Sequence, residues 1–560
     1  MTAPKVLSEN LVLYPGTYFE NTCKVVAPTS AMPRGRVVLN IGQPRSVAGL
    51  VYRDLLDASS NLASAALGTR VPYPIDPATQ FNATDNQIIR LQDGSLLALK
   101  NGYTTADVSP PPPWFNTGSF QYGTSVFSGQ ARNCVFLFGS TDAGSTWTLR
   151  SVIDSAVVEG GKYGWPQPNE GPTGFGIGGF DRTELYQDPY SGHIYVSGHG
   201  DAGPYTVGGV TTENHAGVIF RSTDNAHTFS TFHVFASEWN YAPYEMTSTP
   251  DHPLIVIEIK GSPLLYYVEN GVMSAGVDVT ASDGGTALPA GLDAGVDDIR
   301  GTPVCIARIG AQPSGRDAVW IAYPTVNSHG RTEYVIATVT FGGTATPEVF
   351  LVTKVAAADP VNASAMMGSF VQNDHADAAT VEPVANALFT WVDAPIQTAP
   401  DPNALATRCK LFVADGTTFP SAYLSVHDGA KRTFSRLGMG DYFSGGFVWL
   451  NDMLTYFVQW PESGQIVANV VTWLPPPSRR DVNGLAIDPL YLILSNEIYV
   501  LLTLPDPPPL EAMVAELAPR LARLSLAQRR AVLERAAGFR ERATVFERAV
   551  ERTVADLARR

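Results

Sequence analysis

A short loop between two apolar segments constrains the fold of this chain more than any other feature of its sequence. The loop reads Ser-Thr-Asp-Ala-Gly-Ser-Thr-Trp over residues 140–147. Two extended segments joined by a short loop with Asp and Gly predict a β-hairpin. The aspartate can accept hydrogen bonds from N–H groups of its own turn, the glycine permits a positive φ, and the tryptophan can bury its ring. The residues in these roles are Asp142, Gly144 and Trp147, and Ser140 and Thr146 add two hydroxyl partners.

The same pattern returns twice further along the chain. The second copy spans residues 222–229, with Ala226 where the first copy has glycine, so we expect a more strained turn there. Its matching residues are Ser222, Asp224, Thr228 and Phe229. A third, degenerate copy at 423–434 is one residue too long. The pattern S-x-D-x-G-x-T-W resembles the Asp-box of sialidase-like β-propellers, and three copies in one β-rich chain favour a repeat architecture.

The resemblance covers most of residues 86–460 and implies an all-β propeller. Many short strands with turn signals between 86 and 504, without a long helical period, agree with that expectation. Six blades fit the length best, with five or seven left open, and a pair of β-sandwiches is the alternative fold. Residues 1–85 are expected to be largely irregular and to pack on or close the propeller, which itself would span 86–504.

The sequence pattern changes from strand-like to helical after the proline run at 505–509, which predicts a stiff linker. Residues 510–560 are expected to form a helical tail, with one helix ending near Pro519 and a longer one beginning at a capping box, 525–528. Residues 485–504 are interpreted as a strand pair.

Apolar residues of the longer helix follow a heptad spacing that predicts a coiled coil for oligomerisation or partner binding. Its seam includes Val532, Phe539, Phe546, Val550 and Leu557. The same stripe would also suit a helix packed on its own propeller.

Charge and cysteine content exclude several classes of function. The net charge of −15 argues against a general binder of nucleic acid or anionic membranes. The tail holds 11 arginines and 7 acidic residues, so the rest of the chain is more acidic still, and the tail could lie on it. Four distant cysteines form no C-x-x-C pair, and neither a membrane-spanning segment nor a signal peptide is visible. Cytoplasmic location and export by a non-standard route both stay open.

No cofactor and no metal site is predicted. His193, His199 and Asp201 are close in sequence, as are residues 374–377, but solvated loop residues are the commoner outcome for such groups. Motifs for nucleotide binding, serine hydrolysis or zinc proteolysis are also missing.

The resemblance implies sialidase chemistry only if three groups of residues are present. These are three arginines that bind a carboxylate, an Asp that acts as the acid, and a Tyr–Glu pair that supplies the nucleophile. Gln87 occupies the position of the first arginine, just before the hairpin that starts at Gly94. An amide cannot supply the positive bidentate fork that a carboxylate requires. Sialidase activity is therefore not expected.

Two loops rich in aromatic and acidic residues are the places where a sugar could bind. The ligand-binding candidates are Trp165, Glu170, Arg182, Trp239 and Tyr244, and the catalytic candidates are Asp181 and Glu245. The favoured function is non-catalytic recognition of a glycan or protein, with the tail for oligomerisation or attachment. The alternatives are a glycoside hydrolase of non-sialidase type and a structural module of a larger assembly.

Overall fold

The fold is described from a computed structural model of the chain. It describes residues 5–15, 19–26, 36–42, 49–54, 69–75, 80–104, 119–122, 125–128, 132–154, 179–207, 210–235, 245–259, 262–287, 305–309, 317–341, 347–372, 386–395, 405–413, 422–427, 445–450, 453–462, 465–473, 498, 502, 509–522, 529, 532–533 and 540–559.

Almost all of the described chain before residue 474 is β-strand. The strands are β1 Lys5–Pro15, β2 Phe19–Val26, β3 Arg36–Gly42, β4 Gly49–Asp54, β5 Thr69–Pro72, β6 Gln80–Arg90, β7 Leu96–Thr104, β8 Ser119–Tyr122, β9 Ser125–Ser128, β10 Arg132–Ser140, β11 Thr148–Asp154, β12 Gly179–Gln187, β13 Ile194–Val207, β14 Val210–Ser222, β15 Ser230–Phe235, β16 Glu245–Thr247, β17 Ile255–Ile259, β18 Pro263–Glu269, β19 Val272–Met273, β20 Val277–Asp278, β21 Cys305–Ile309, β22 Ala318–Val326, β23 Thr332–Thr340, β24 Glu348–Val355, β25 Ala363–Gln372, β26 Asn386–Pro395, β27 Leu405–Val413, β28 Ala422–His427, β29 Gly445–Leu450, β30 Met453–Glu462 and β31 Gln465–Trp473.

Apart from the small β8–β9 hairpin, these strands form antiparallel sheets that follow one another along the chain. We call them blades I (β2–β5), II (β6, β7, β10, β11), III (β12–β15), IV (β16–β20), V (β21–β24), VI (β25–β28) and VII (β29–β31 with β1). The first strand of each blade contacts the first strand of the next, and β29 of blade VII contacts β2 of blade I. A closed ring of such sheets is a β-propeller.

The prediction of six blades was wrong, because the described strands form seven. Residues that the sequence analysis expected to be irregular supply the difference. Strands β2 to β5 form blade I, and β1 pairs with β31 to complete blade VII, with Lys5 opposite Thr472. The ring therefore runs from residue 5 to residue 473. A pairing between strands so far apart in sequence leaves no local signal.

The core of the ring lies between blades, which explains why the central strands are apolar on both faces. Strand β22 is buried along all of its length except its last residue. Val319, Ile321 and Tyr323 pack with residues of blade IV. Trp320 and Ala322, on the other face, pack with residues of blade VI. Because side chains alternate across a strand, one apolar run thus contributes to two interfaces.

Two helices beyond the ring share a hydrophobic core of their own. Helix α1 spans Leu510–Leu521 and contains Pro519, so it continues past the predicted end; helix α2 spans Arg540–Arg559. Ile498 and Leu502 are helical, not part of a strand pair, and belong to the same core. Among the helices of the described chain, none combines the length and apolar character needed to span a bilayer.

The predicted heptad seam is largely used inside this helical core. Val532, Phe546 and Val550 are buried in it, against α1 and the residues before it. Leu557 is 40% exposed, and Phe539 lies outside the described residues. Among the described seam residues, only Leu557 is therefore left for contact with a partner or a second copy.

Candidate active site at the upper face

The first strand of every blade runs in the same direction around a propeller, so the beginnings of these strands share one face. We call this the upper face. Turns from the first to the second strand, and from the third to the fourth, lie at the opposite, lower face. The turns at 140–147 and 222–229 join third to fourth strands, so they belong to the lower face.

Glu245 is the first residue of β16 and lies opposite Ile257, in the middle of β17. Its side chain is half-buried, and burial raises the pKa of its carboxyl group from 4.5 to about 7. Cys305 begins β21, the inner strand of the next blade. Burial and the nearby charge of Glu245 raise the pKa of the Cys305 thiol, whose Sγ lies 3.7 Å from the carbonyl oxygen of Gly368. Glu245 can thus hold a proton near neutral pH.

A second carboxyl group lies on the neighbouring inner strand. Gln87 of β6 donates a hydrogen bond from Nε2 to Oε1 of Glu184 in β12, over 3.1 Å. Beside it, Thr183 Oγ1 lies 3.1 Å from Oδ1 of Asn101 and is buried. Glu184 is not among the residues predicted from the sequence, because its partner is 97 residues away.

Two of the predicted site residues share that strand. Asp181 and Arg182 lie in the first part of β12, and Asp181 is paired with His199 of β13 in the strand register. Glu245, Asp181 and Glu184 are thus brought to inner strands of adjacent blades. The other predicted ligand-binding residues lie outside the described part of the chain; they are Trp165, Glu170, Trp239 and Tyr244.

The histidines near residue 200 do not form one cluster. His193 immediately precedes β13 at the lower face, whereas Asp201 is eight residues further along the same strand. At about 3.3 Å per residue, the two positions are about 26 Å apart. Within the described ranges, no group of three His, Cys, Asp or Glu side chains is placed to hold a metal ion. Residues 374–377 lie outside those ranges.

A Tyr–Glu contact is present, but between the second and third strands of blade IV. Tyr266 of β18 donates a hydrogen bond to Oε1 of Glu258 in β17. Glu258 is only 6% exposed. Burial, the hydrogen bond and the charge of Glu258 raise the pKa of Tyr266 well above its usual value. This pair is thus set back from the inner strand of the blade.

The loop at 140–147 is held together by the aspartate at its centre. Asp142 accepts hydrogen bonds from the backbone N–H of Thr146 at 2.8 Å, from Thr146 Oγ1 at 2.7 Å and from Ser140 Oγ at 2.9 Å. Gly144 has a φ of 88°, and Trp147 Nε1 donates to its carbonyl oxygen over 3.0 Å. Burial of Trp147 in the core of blades I and II fixes the loop at the lower face.

The loop at 222–229 has the same hydrogen bonds around Asp224. Its carboxylate accepts from the backbone N–H of Thr228 at 2.9 Å and from Oγ1 of Thr228 and Oγ of Ser222. These hydrogen bonds lower the pKa of Asp224 to about 2. Ala226 has a φ of 65°, in the left-handed region that favours glycine. The partly buried Phe229 packs against the core of blades II and III.

Each of these loops also contacts the preceding blade. Arg36 of blade I donates to Ser145 Oγ at 2.6 Å. In the same way, Ser151 of blade II donates to the carbonyl oxygen of Ala226 at 2.7 Å. The loops thus join neighbouring blades at the lower face.

No protein-family model matches the chain, and no curated protein sequence matches it. Among solved structures, an α-L-arabinanase of Penicillium chrysogenum complexed with arabinobiose is 12% identical, with 71% of this chain and 94% of that chain covered and a TM-score of 0.36. A leech intramolecular trans-sialidase is 8% identical, with 78% and 71% covered and a TM-score of 0.38.

A third similar structure is the NanB sialidase of Streptococcus pneumoniae. It is 10% identical, 75% of this chain and 71% of that chain are covered, and the TM-score is 0.36. Likenesses at this level carry no argument about activity. The chain is a β-propeller with a C-terminal pair of helices, as its strand order and its ring of inner strands establish.

Proposed function

We propose that the upper face of the propeller binds a carbohydrate and hydrolyses a glycosidic bond, with Glu245 as the general acid. The observation that carries this proposal is a carboxyl group with a pKa of about 7 at the start of an inner strand. A general acid works best when its pKa is near the working pH, because it then both holds and transfers its proton. Glu245 would protonate the leaving oxygen while water supplies the hydroxyl group that completes hydrolysis.

Hydrolysis of a glycoside requires a second carboxylate. We assign this role to Glu184, which the hydrogen bond from Gln87 orients on the adjacent inner strand. Asp181, three residues earlier on β12, is the alternative for this role.

Sugar binding would come from the aromatic and polar residues proposed from the sequence. Rings of Trp165, Trp239 and Tyr244 would stack on the C–H faces of a sugar, while Glu170 and Arg182 would bind its hydroxyl groups. We further propose that the loops at 140–147 and 222–229 are Asp-boxes with a structural role only, which is supported by their matching hydrogen bonds around Asp142 and Asp224.

The test is turnover of a broad panel of aryl glycosides and polysaccharides. We expect at least one substrate to be cleaved, and we expect Glu245→Gln and Glu184→Gln each to reduce kcat by about 100-fold or more. Glu269→Gln, at an exposed position at the end of β18, is the matched control and should leave turnover unchanged. Absence of turnover on every substrate would refute the proposal. Binding on a glycan array without product would then favour the non-catalytic recognition function.

A further inference from the structure

Two polar side chains lie on the same face of the short inner strand β16. Glu245 and Thr247 are two residues apart, and side chains alternate across a strand, so both project to one side. Met246, between them, packs with Tyr195 and Phe235 of blade III. Glu245 and Thr247 therefore face the other way, toward β21 of blade V, which contacts β16.

Thr247 is buried without a hydrogen bond for its hydroxyl group. The residue is 1% exposed, and Oγ1 has no partner among the described atoms. For Glu245, burial is the cause of the raised pKa, and no hydrogen bond contributes to that shift. Buried hydroxyl and carboxyl groups almost always have partners in folded proteins, and ordered water commonly supplies them.

The spacing of the two groups suits a single bridging water. Residues two apart on a strand are separated by about 6.7 Å. A water with hydrogen bonds of about 2.8 Å on either side spans about 5.5 Å, and the longer glutamate side chain covers the rest. The threonine hydroxyl and a protonated carboxyl group can each donate or accept, so either orientation of the water satisfies both.

We propose that a water molecule is bound between β16 and β21, hydrogen-bonded to Oγ1 of Thr247 and to the carboxyl group of Glu245. Such a water partly replaces the solvent that Glu245 loses on burial and fixes the orientation of its carboxyl group. Thr247 then becomes a positioning residue for the general acid, a role that rests on the proposed function. The water site itself does not depend on that function.

Crystal structures of the full chain and of two variants test this site. We expect an ordered water within about 3.2 Å of Thr247 Oγ1 and of a Glu245 carboxyl oxygen. It should persist in Thr247→Ser, which keeps the hydroxyl group, and disappear in Thr247→Val, which keeps the shape. A structure that shows other buried waters but none at this position would overturn the proposal.

Titration of Glu245 provides a second readout, since its carboxyl band can be isolated by infrared difference against Glu245→Gln. Thr247→Val should raise the midpoint by about 0.5 pH unit or more, because the carboxyl group loses a polar neighbour, while Thr247→Ser should not. An unchanged midpoint in Thr247→Val, or a Thr247→Val protein more thermally stable than wild type, would contradict the water site. If the water is present but no glycoside is cleaved, only the proposed function fails.

Discussion

Gln87 donates a hydrogen bond to Glu184 across 3.1 Å, and this contact joins the inner strands of blades II and III. A neutral amide thus orients the carboxyl group. Glu184 and Glu245 lie on the adjacent inner strands β12 and β16.

We expect Gln87→Leu to destabilise the fold by about 1–2 kcal/mol, because a partly buried carboxylate loses a hydrogen-bond donor. Combined with Glu184→Gln in a double-mutant cycle, the coupling energy should be about 1 kcal/mol when measured by chemical denaturation. Additive effects of the two changes would show that the hydrogen bond contributes nothing to stability.

The raised pKa of Glu245 predicts how stability depends on pH. Below about pH 4.5 the folded and unfolded states both hold the proton, and between 4.5 and 7 only the folded state holds it. The free energy of unfolding therefore falls as pH rises through this window, and above 7 the full cost of a buried charge remains. Glu245→Gln removes that cost, so the variant should gain about 1–3 kcal/mol relative to wild type between pH 4.5 and 7.5. Parallel stability curves for the two proteins would contradict the prediction.

The two lower-face loops predict opposite effects of Gly and Ala. Gly144→Ala should destabilise by about 2 kcal/mol or more, because its φ is 88° and a Cβ atom would lie 3.0 Å from Val38 Cγ2. Ala226→Gly relieves a φ of 65° at the equivalent position and should be neutral or stabilise by up to about 1 kcal/mol. Thermal unfolding of both variants tests the pair, and loss of stability in Ala226→Gly would show that packing of its methyl group outweighs the strain.

A buried ion pair in blade VI should be sensitive to loss of one partner. Asp393 accepts from Arg408, from Trp391 Nε1 at 2.9 Å and from the backbone N–H of Ala358 at 3.1 Å. Arg408→Leu leaves the carboxylate buried without its cation and should cost about 3–5 kcal/mol in a denaturant titration. Arg408→Leu combined with Asp393→Asn should recover part of that loss, and a double variant no better than the single one would argue against charge as the cause.

Two residues on the apolar stripe of helix α2 should differ in how much their substitution changes stability. Val550→Ala opens a cavity in the shared helical core and should cost about 2–3 kcal/mol, whereas Leu557→Ala, at an exposed position, should change stability by less than about 0.5 kcal/mol. Light scattering of Leu557→Ala tests the remaining prediction of self-association. A smaller mass than wild type would show that this residue contacts a second copy.

Features with a local cause were predicted well from the sequence. The turn at 140–147 depends on residues within eight positions of each other, so its aspartate, glycine and tryptophan identified a hairpin directly. The apolar spacing around Phe546 and Val550 likewise predicted a helix. Neither pattern says what packs against it; the buried face of that helix packs with α1 and Ile498.

Features that depend on distant pairings were missed. Glu184 became a candidate only because the ring places it beside Gln87. The number of blades was misjudged for the same reason, since the strands before residue 80 show turns and short apolar segments, and nothing local indicates their neighbours. Glu245 was selected from the sequence because aromatic residues flank it, whereas its raised pKa follows from burial that only the assembled blades produce.

The pairing of β1 with β31 also means that blade VII can be completed only late in synthesis of the chain. Strand β1 is made well before β31 and stays without this partner until more than 450 further residues have been made. During that interval its hydrogen-bonding groups are free to join other strand edges, in this chain or in a neighbouring one. Deletion of β1 or of β31 would leave the same sheet incomplete, so either change should expose an unpaired strand edge in blade VII.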